Sequence, residues 1–363
     1  MAHPFFNATK YPLHRSEAVV LLETLSEAIP IPAVINTTYE KCGPGLPALF
    51  LGQAGPSVWN EALQNLTAFG FLRKLLDLVQ AQFQHSEPVL KAVRDVVNAQ
   101  TAEEIKIISD DVLVLDRVKL RNRLKDLVPD ANPVKVLLVR GAPQTGKSHG
   151  RYIFERFAND QGAPSVYLYP EIIVTVHDVI EQLFSALQAS DEIPDAFTTD
   201  DAWYQKVCVK LMEVASKKKQ RLWIAVDDLG PGIDGAPLMD KEVRKFCERF
   251  AANMLNPIFR NSFRLMLIHY PEGLPPAKWK PDFWTEDRTD EKDVKKEDVV
   301  ELLKTWSINM ARKIVDDELV SLAGDVIAKA EAPPAQGEEL KPRLLRIHEE
   351  LKKALSDLAR KTE

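Results

Sequence analysis

Hydrophobic positions divide the chain into a helical first hundred residues and an alternating middle. Over 15–29, Val19, Leu22, Leu25 and Ile29 recur at helical spacing. IPIP at 29–32 breaks this run, and CGPGLP at 42–47 ends a second short helix over 33–41. Pro56 opens a third, with Trp59, Leu63 and Leu66 on one face. Gly70 separates it from a helix over 72–83, and Pro88 lies in the first turn of another over 89–99. Helices this short bury their stripes only against one another, so residues 1–100 are expected to form a small all-α bundle.

From residue 134 the pattern changes. Apolar runs at 134–140, 165–169, 222–227 and 263–269 alternate with helical patterns over 147–159, 173–188, 200–217 and 239–256. In the third helix Trp203, Val207, Leu211 and Val214 keep helical spacing. Such alternation predicts a parallel sheet wrapped by helices. Residues 101–133 read as a charged connector with an apolar patch at 112–115 and a helix over 118–127. Beyond Pro271 the chain is rich in proline and aromatics, then helical over 296–315 and 317–330. In the last helix Leu340, Leu344, Ile347, Leu351, Leu355 and Leu358 fall near heptad spacing. Fewer than three heptads is short for a coiled coil, so this stripe is expected to dock on the domain. The expected units are therefore 1–100, 101–133, 134–285 and 286–363.

Candidate chemistry begins where the first apolar run of the middle region ends. VKVLLVRGAPQTGKS, at 134–148, is a strand, a glycine loop and a helix start. That is the setting of a phosphate-binding P-loop. Glycines let successive N–H groups converge on one anion, and the helix aims its positive end at it. Gly141, Pro143, Gln144, Thr145, Gly146, Lys147, Ser148 and His149 are the candidate nucleotide-binding residues. Lys147 would face the β- and γ-phosphates, Ser148 would offer its hydroxyl to Mg²⁺, and His149 would lie beside the phosphates. A second half of the site follows the strand at 222–226. Asp227 is expected on the metal side with Ser148, and Asp228 is expected to polarise an attacking water. In the strand-inserted branch of P-loop proteins, which this arrangement resembles, the next strand sits between the P-loop strand and the acidic strand, and that resemblance implies the same place for the strand at 263–269. His269 would then sense the terminal phosphate, the alternative being a strand-end histidine bonded to backbone. Arg260 and Arg264 flank the start of that strand and read as surface arginines, an arginine finger being the alternative. No Asn/Thr-Lys-x-Asp motif for guanine occurs, which leans toward ATP.

Composition bounds the remaining choices. With 45% hydrophobic and 28% charged residues the 363-residue chain is of globular type. A net charge of −6 gives no global drive toward nucleic acid. Cys42, Cys208 and Cys247 are odd in number and unpaired in spacing, which fits a reducing cytosol and not a disulfide or zinc framework. The amino-terminal residues lack a signal-peptide layout, and no apolar run approaches a membrane span. A cytoplasmic location without membrane partners is the expectation.

The catalytic half resembles the STAND branch of P-loop ATPases, signal-transduction relatives of AAA+. Three features carry the likeness: Asp227-Asp228 at the acidic strand, VLDRVKLRNRLKDL (114–127) ahead of the P-loop strand, and DFWTEDRTDEKDVKKEDVVELLKTW after the core. The last resembles a short fifth strand followed by a helical segment. CGPGLP and SVWNEALQNLTAFGFLRKLLDLV (57–79) are similar to the effector-associated, death-like domains of bacterial conflict systems. No winged-helix domain or repeat array follows the ATPase, unlike full STAND proteins. The fold implied is an α/β P-loop NTPase, a parallel sheet with an inserted strand and helices on both faces. It is preceded by the all-α bundle and followed by a helical tail. The resemblance implies ATP and Mg²⁺ as cofactors. It also implies an effector protein of the protease or nuclease class, recruited through the N-terminal domain, and leaves room for a homo-oligomer. A nucleotide-binding scaffold with little hydrolysis and an AAA+-type DNA-associated ATPase stay open as alternatives.

Overall fold

The computed structural model describes the chain except residues 1–2, 14, 100–106, 110–111, 114, 116, 143–144, 196–199, 220, 232–235, 237, 257–258, 272–278, 291–293, 310–313, 334–340 and 361–363. It divides into two compact units, Met1–Glu104 with Ser307–Arg312, and Ile105–Trp306 with Lys313–Glu363. Among the described residues no single helix is long and apolar enough to cross a membrane.

The first unit holds α1 (Ser16–Ala28), α2 (Pro32–Glu40), α3 (Gly55–Ala68), α4 (Leu72–Gln82) and α5 (Glu87–Val97). Proline sits in the first turn of α2, α3 and α5, where its missing N–H has no helical partner to lose. The stripe expected on α1 holds at Leu25 and Ile29, which are buried, but differs in the first turns, where Ala18 and Leu21 are buried while Val19 is exposed. The run AVVLL at 18–22 supports two helical phases, and packing selects one. Trp59 is fully buried in this unit, and its indole N–H donates to the Ile29 carbonyl at 3.0 Å. Trp59→Ala removes that donor and leaves a cavity. It is expected to cost about 3–5 kcal/mol, read as a lower urea midpoint by far-ultraviolet dichroism.

The second unit is built on five parallel strands. They are β3 (Val136–Gly141), β4 (Ser165–Leu168), β5 (Leu222–Val226), β6 (Phe263–Ile268) and β7 (Trp284–Thr289), ordered β4-β5-β6-β3-β7. The strand β6 does insert between the P-loop strand and the acidic strand. Side chains alternate between two covered faces. Val136, Leu138, Ile224, Leu265 and Leu267 pack with α8 (Val176–Ala186), α9 (Asp200–Lys218) and α10 (Lys241–Asn253). On the other face Trp223 meets Phe154 of α7 (Gly150–Asp160) with ring centroids 4.9 Å apart. Strands covered on both faces read as near-continuous apolar runs, as β3, β5 and β6 do.

The connector carries more structure than its charge suggests. A short antiparallel pair, β1 (Ile107–Ser109) and β2 (Val112–Leu113), precedes α6 (Val118–Leu127). Elements of two or three residues are too short to show a period. Arg264 is not a surface residue: it is fully buried, and its guanidinium donates to the carbonyls of Leu127 and Phe263 and to Asp130. It thereby satisfies a carbonyl at the C-terminal end of α6. Beyond β7 follow α11 (Lys296–Asn309), α12 (Asp316–Glu331) and α13 (Arg343–Arg360). Ile347, Leu351 and Leu355 of α13 are buried in a cluster with Leu319, Val326 and Leu113, so the heptad stripe docks within this unit. Leu340 lies outside the described residues.

Candidate functional site

The strands β3, β5 and β6 end on one edge of the sheet, and the candidate residues follow those ends. Gly141 closes β3 with φ +134°, and a Cβ there would sit 2.4 Å from the Thr289 carbonyl oxygen. Only glycine allows that approach of the loop base to β7. Gly146, at φ +75°, turns the loop back toward the helix. Thr145 fastens the loop between them: its hydroxyl donates to the Ala142 carbonyl at 2.9 Å and meets the Thr289 hydroxyl. Lys147 is 6% exposed, and its ammonium donates to the carbonyls of Gly141, at 3.0 Å, and Ala142. Ser148 is exposed at the start of the helix. Pro143 and Gln144 lie outside the described residues.

The helix begins at Gly150, three residues later than its apolar pattern predicts. Residues 147–149 form a tighter turn, in which His149 N–H donates to the Gly146 carbonyl and Gly150 N–H to that of Lys147. Such i→i−3 bonding is the common form of a helix's first turn. His149 is packed against Tyr152 and against His348 of α13, with centroids 5.3 and 5.7 Å away. Its buried Nε2 has no hydrogen-bond partner among the described residues. Burial and then His348 push its pKa down from 6.5 to about 4.

Asp227 is 1% exposed at the end of β5. Its Oδ1 accepts the Asp228 N–H at 2.7 Å and its Oδ2 accepts the Tyr167 hydroxyl at 2.8 Å. Asp228 and His269 both adopt φ +55°. Their side chains meet, His269 Nδ1 lying 3.6 Å from Asp228 Oδ1. Left-handed backbone at two facing non-glycine residues is strain held by its surroundings, and such strain gathers at functional sites. The cross-strand bonds Leu229 N–H to Ile268 O and Tyr270 N–H to Val139 O hold this pair to the loop strand.

A cavity of about 650 Å³ adjoins the loop. It is lined by Ala142 and Thr145, by Thr289 and Asp290 past β7, and by Glu331 and Arg343 from the helical segment. That volume suits a small-molecule ligand. Arg343 is anchored to Glu331 at 2.7 Å, and Leu344 comes within 3.6 Å of where a Gly146 Cβ would stand. The contributions of Tyr167, Thr289, Arg343 and His348 were not read from the sequence. Thr289 lies at the end of the fifth strand and was within reach; the others carry no local signal.

The strand order, the loop after β3 and the acid after β5 together decide the fold. The core has the α/β P-loop NTPase fold, a parallel sheet with an inserted strand and helices on both faces. No family model matches the chain, and no curated protein matches it. Among solved structures it is similar to Cdc6p from Pyrobaculum aerophilum, at 16% identity over 73% of this chain, with TM-score 0.40. The chain spans 64% of that protein's length. It is similar also to the Aeropyrum pernix ORC2 protein in its ADPNP–ADP complexes, at 12% identity over 71% of this chain and 69% of that one, with TM-score 0.37. A third is C. elegans PCH-2, at 13% identity, 76% and 71% coverage and TM-score 0.29.

Proposed function

We propose that this chain binds ATP with Mg²⁺ and acts as a signalling ATPase of the STAND type. The nucleotide state would control assembly, or recruitment of a protease- or nuclease-class effector through the N-terminal helical unit. One observation carries the nucleotide reading: the glycine loop follows the interior strand β3, and Asp227 follows β5, with β6 between them. The residues fit the ligand. The Lys147 cation and the start of α7 suit phosphate. Ser148 and Asp227 are hard oxygen donors of the kind Mg²⁺ takes alongside phosphate oxygens. Bound ATP–Mg²⁺ would supply the scissile phosphoanhydride. Asp228, facing His269, would orient and deprotonate the attacking water, and His269 would report the terminal phosphate to β6.

Any switch is limited by how differently the two states bind ATP and ADP. The test is phosphate release by wild type and Asp228→Asn. Turnover is expected to fall roughly a hundredfold or more, with ATP affinity kept. Light scattering in ATP–Mg²⁺ against ADP reads assembly. A scaffold that binds nucleotide without hydrolysis is favoured by one observation, the short Asp228 carboxylate held against His269. Absence of turnover in wild type under every partner condition supports that second reading.

A further inference from the structure

Asp227 is held from outside the P-loop. A carboxylate has about four lone-pair positions, and the two bonds to Asp228 N–H and Tyr167 O–H occupy one on each oxygen. Two fixed points on two oxygens define the plane of the carboxylate and leave the remaining positions for a metal-bound water. Tyr167 comes from β4, the edge strand beside β5. Its ring is itself fixed. The Arg151 guanidinium lies 3.9 Å from its centroid, and Tyr169 stacks on it at 4.9 Å. Arg151 belongs to α7 and donates to the Tyr152 hydroxyl at 2.7 Å. A chain of contacts thus runs from the P-loop helix through Arg151 and Tyr167 to the acidic strand.

We propose that Tyr167, steadied by Arg151, is a positioning residue for Asp227 and sets the plane in which that carboxylate meets a nucleotide-bound divalent cation. The inference rests on the nucleotide–Mg²⁺ reading above. Groups that orient a metal-side ligand typically change metal affinity ten- to a hundredfold when lost, whereas a tyrosine that only fills space does not.

The experiment measures mant-ATP affinity of the full chain in EDTA and across a Mg²⁺ series. Tyr167→Phe keeps the ring and the Arg151 stack and removes only the hydroxyl. It is expected to raise the Mg²⁺ concentration for half-maximal tightening roughly tenfold or more, with affinity in EDTA kept. Arg151→Lys, which keeps the charge and loses the planar stack, is expected to shift it less and in the same direction. In an Asp227→Asn background the Tyr167→Phe change is expected to add nothing, because its effect passes through Asp227. An unchanged Mg²⁺ dependence in Tyr167→Phe overturns the proposal. So does a parallel loss of affinity in EDTA, which marks a merely structural role. Wild-type protein that binds mant-ATP in EDTA yet gains nothing from Mg²⁺ overturns this inference and the Mg²⁺ part of that reading, and leaves nucleotide binding standing. Binding in neither condition overturns the nucleotide reading as well.

Discussion

Lys147→Ala is expected to lower ATP–Mg²⁺ affinity by at least about a hundredfold, because charged hydrogen bonds to phosphate contribute about 3 kcal/mol. The loop itself does not depend on this side chain. Thr145 and Thr289 clamp its base, and the close approach of Gly141 to Thr289 is backbone packing. Of the two carbonyls that Lys147 now holds, those of Gly141 and Ala142, the second belongs to a residue that lines the cavity, where water replaces the lost donor. The variant should therefore keep the wild-type melting temperature while mant-ATP fluorescence enhancement is lost. Lys147→Arg keeps the charge on a larger, planar head and should recover only part of the affinity. Undiminished binding in Lys147→Ala would remove residues 141–149 as the nucleotide site.

That site was legible in the sequence to different depths at different residues. Gly141, Gly146 and Lys147 are local: an apolar strand followed by a glycine loop has few other uses, and the structure places them at one strand end. The insertion of β6 was legible only through the likeness to strand-inserted P-loop proteins, because the chain order of four apolar runs leaves the order of strands in a parallel sheet open. Arg264 was misread because a charged residue beside a turn is ordinarily solvated. Here its three guanidinium nitrogens find the carbonyls of Leu127 and Phe263 and the Asp130 carboxylate, a match made only when α6 and β6 come together. Tyr167 and Arg343 escaped for the same reason. Each meets its partner across the fold, Tyr167 to Asp227 over sixty residues of chain and Arg343 onto the loop cavity from the far helical segment. Periodicity reports which face of an element is buried, and says nothing of which polar tip that face will find.

His149 makes the same long-range packing measurable as a pH dependence. Its ring sits at the start of α7 against His348 of α13, with Arg117 and Arg151 nearby, and burial and these charges lower its pKa to about 4. A hydrogen bond to the Leu113 backbone pulls the other way and does not prevail. In the unfolded chain the imidazole titrates near 6.5. Between these values the unfolded state binds a proton that the folded state refuses, so stability is complete above pH 6.5 and falls as the pH drops toward 4. At about 1.4 kcal/mol per unit the loss is on the order of 3 kcal/mol. Urea midpoints across this range should show it in wild type. His149→Gln, which cannot charge, should lose correspondingly less, the difference between the two proteins cancelling the carboxylates common to both. Equal pH slopes would mean that His149 is solvated in the folded state and that α13 does not lie over the loop. His348→Gln supplies the second arm. It removes the largest neighbouring charge, so it should raise the His149 pKa and shrink the wild-type loss. Only a closed contact between α7 and α13 produces both changes, and the same contact lies next to the Gly146 turn on which nucleotide binding is proposed to depend.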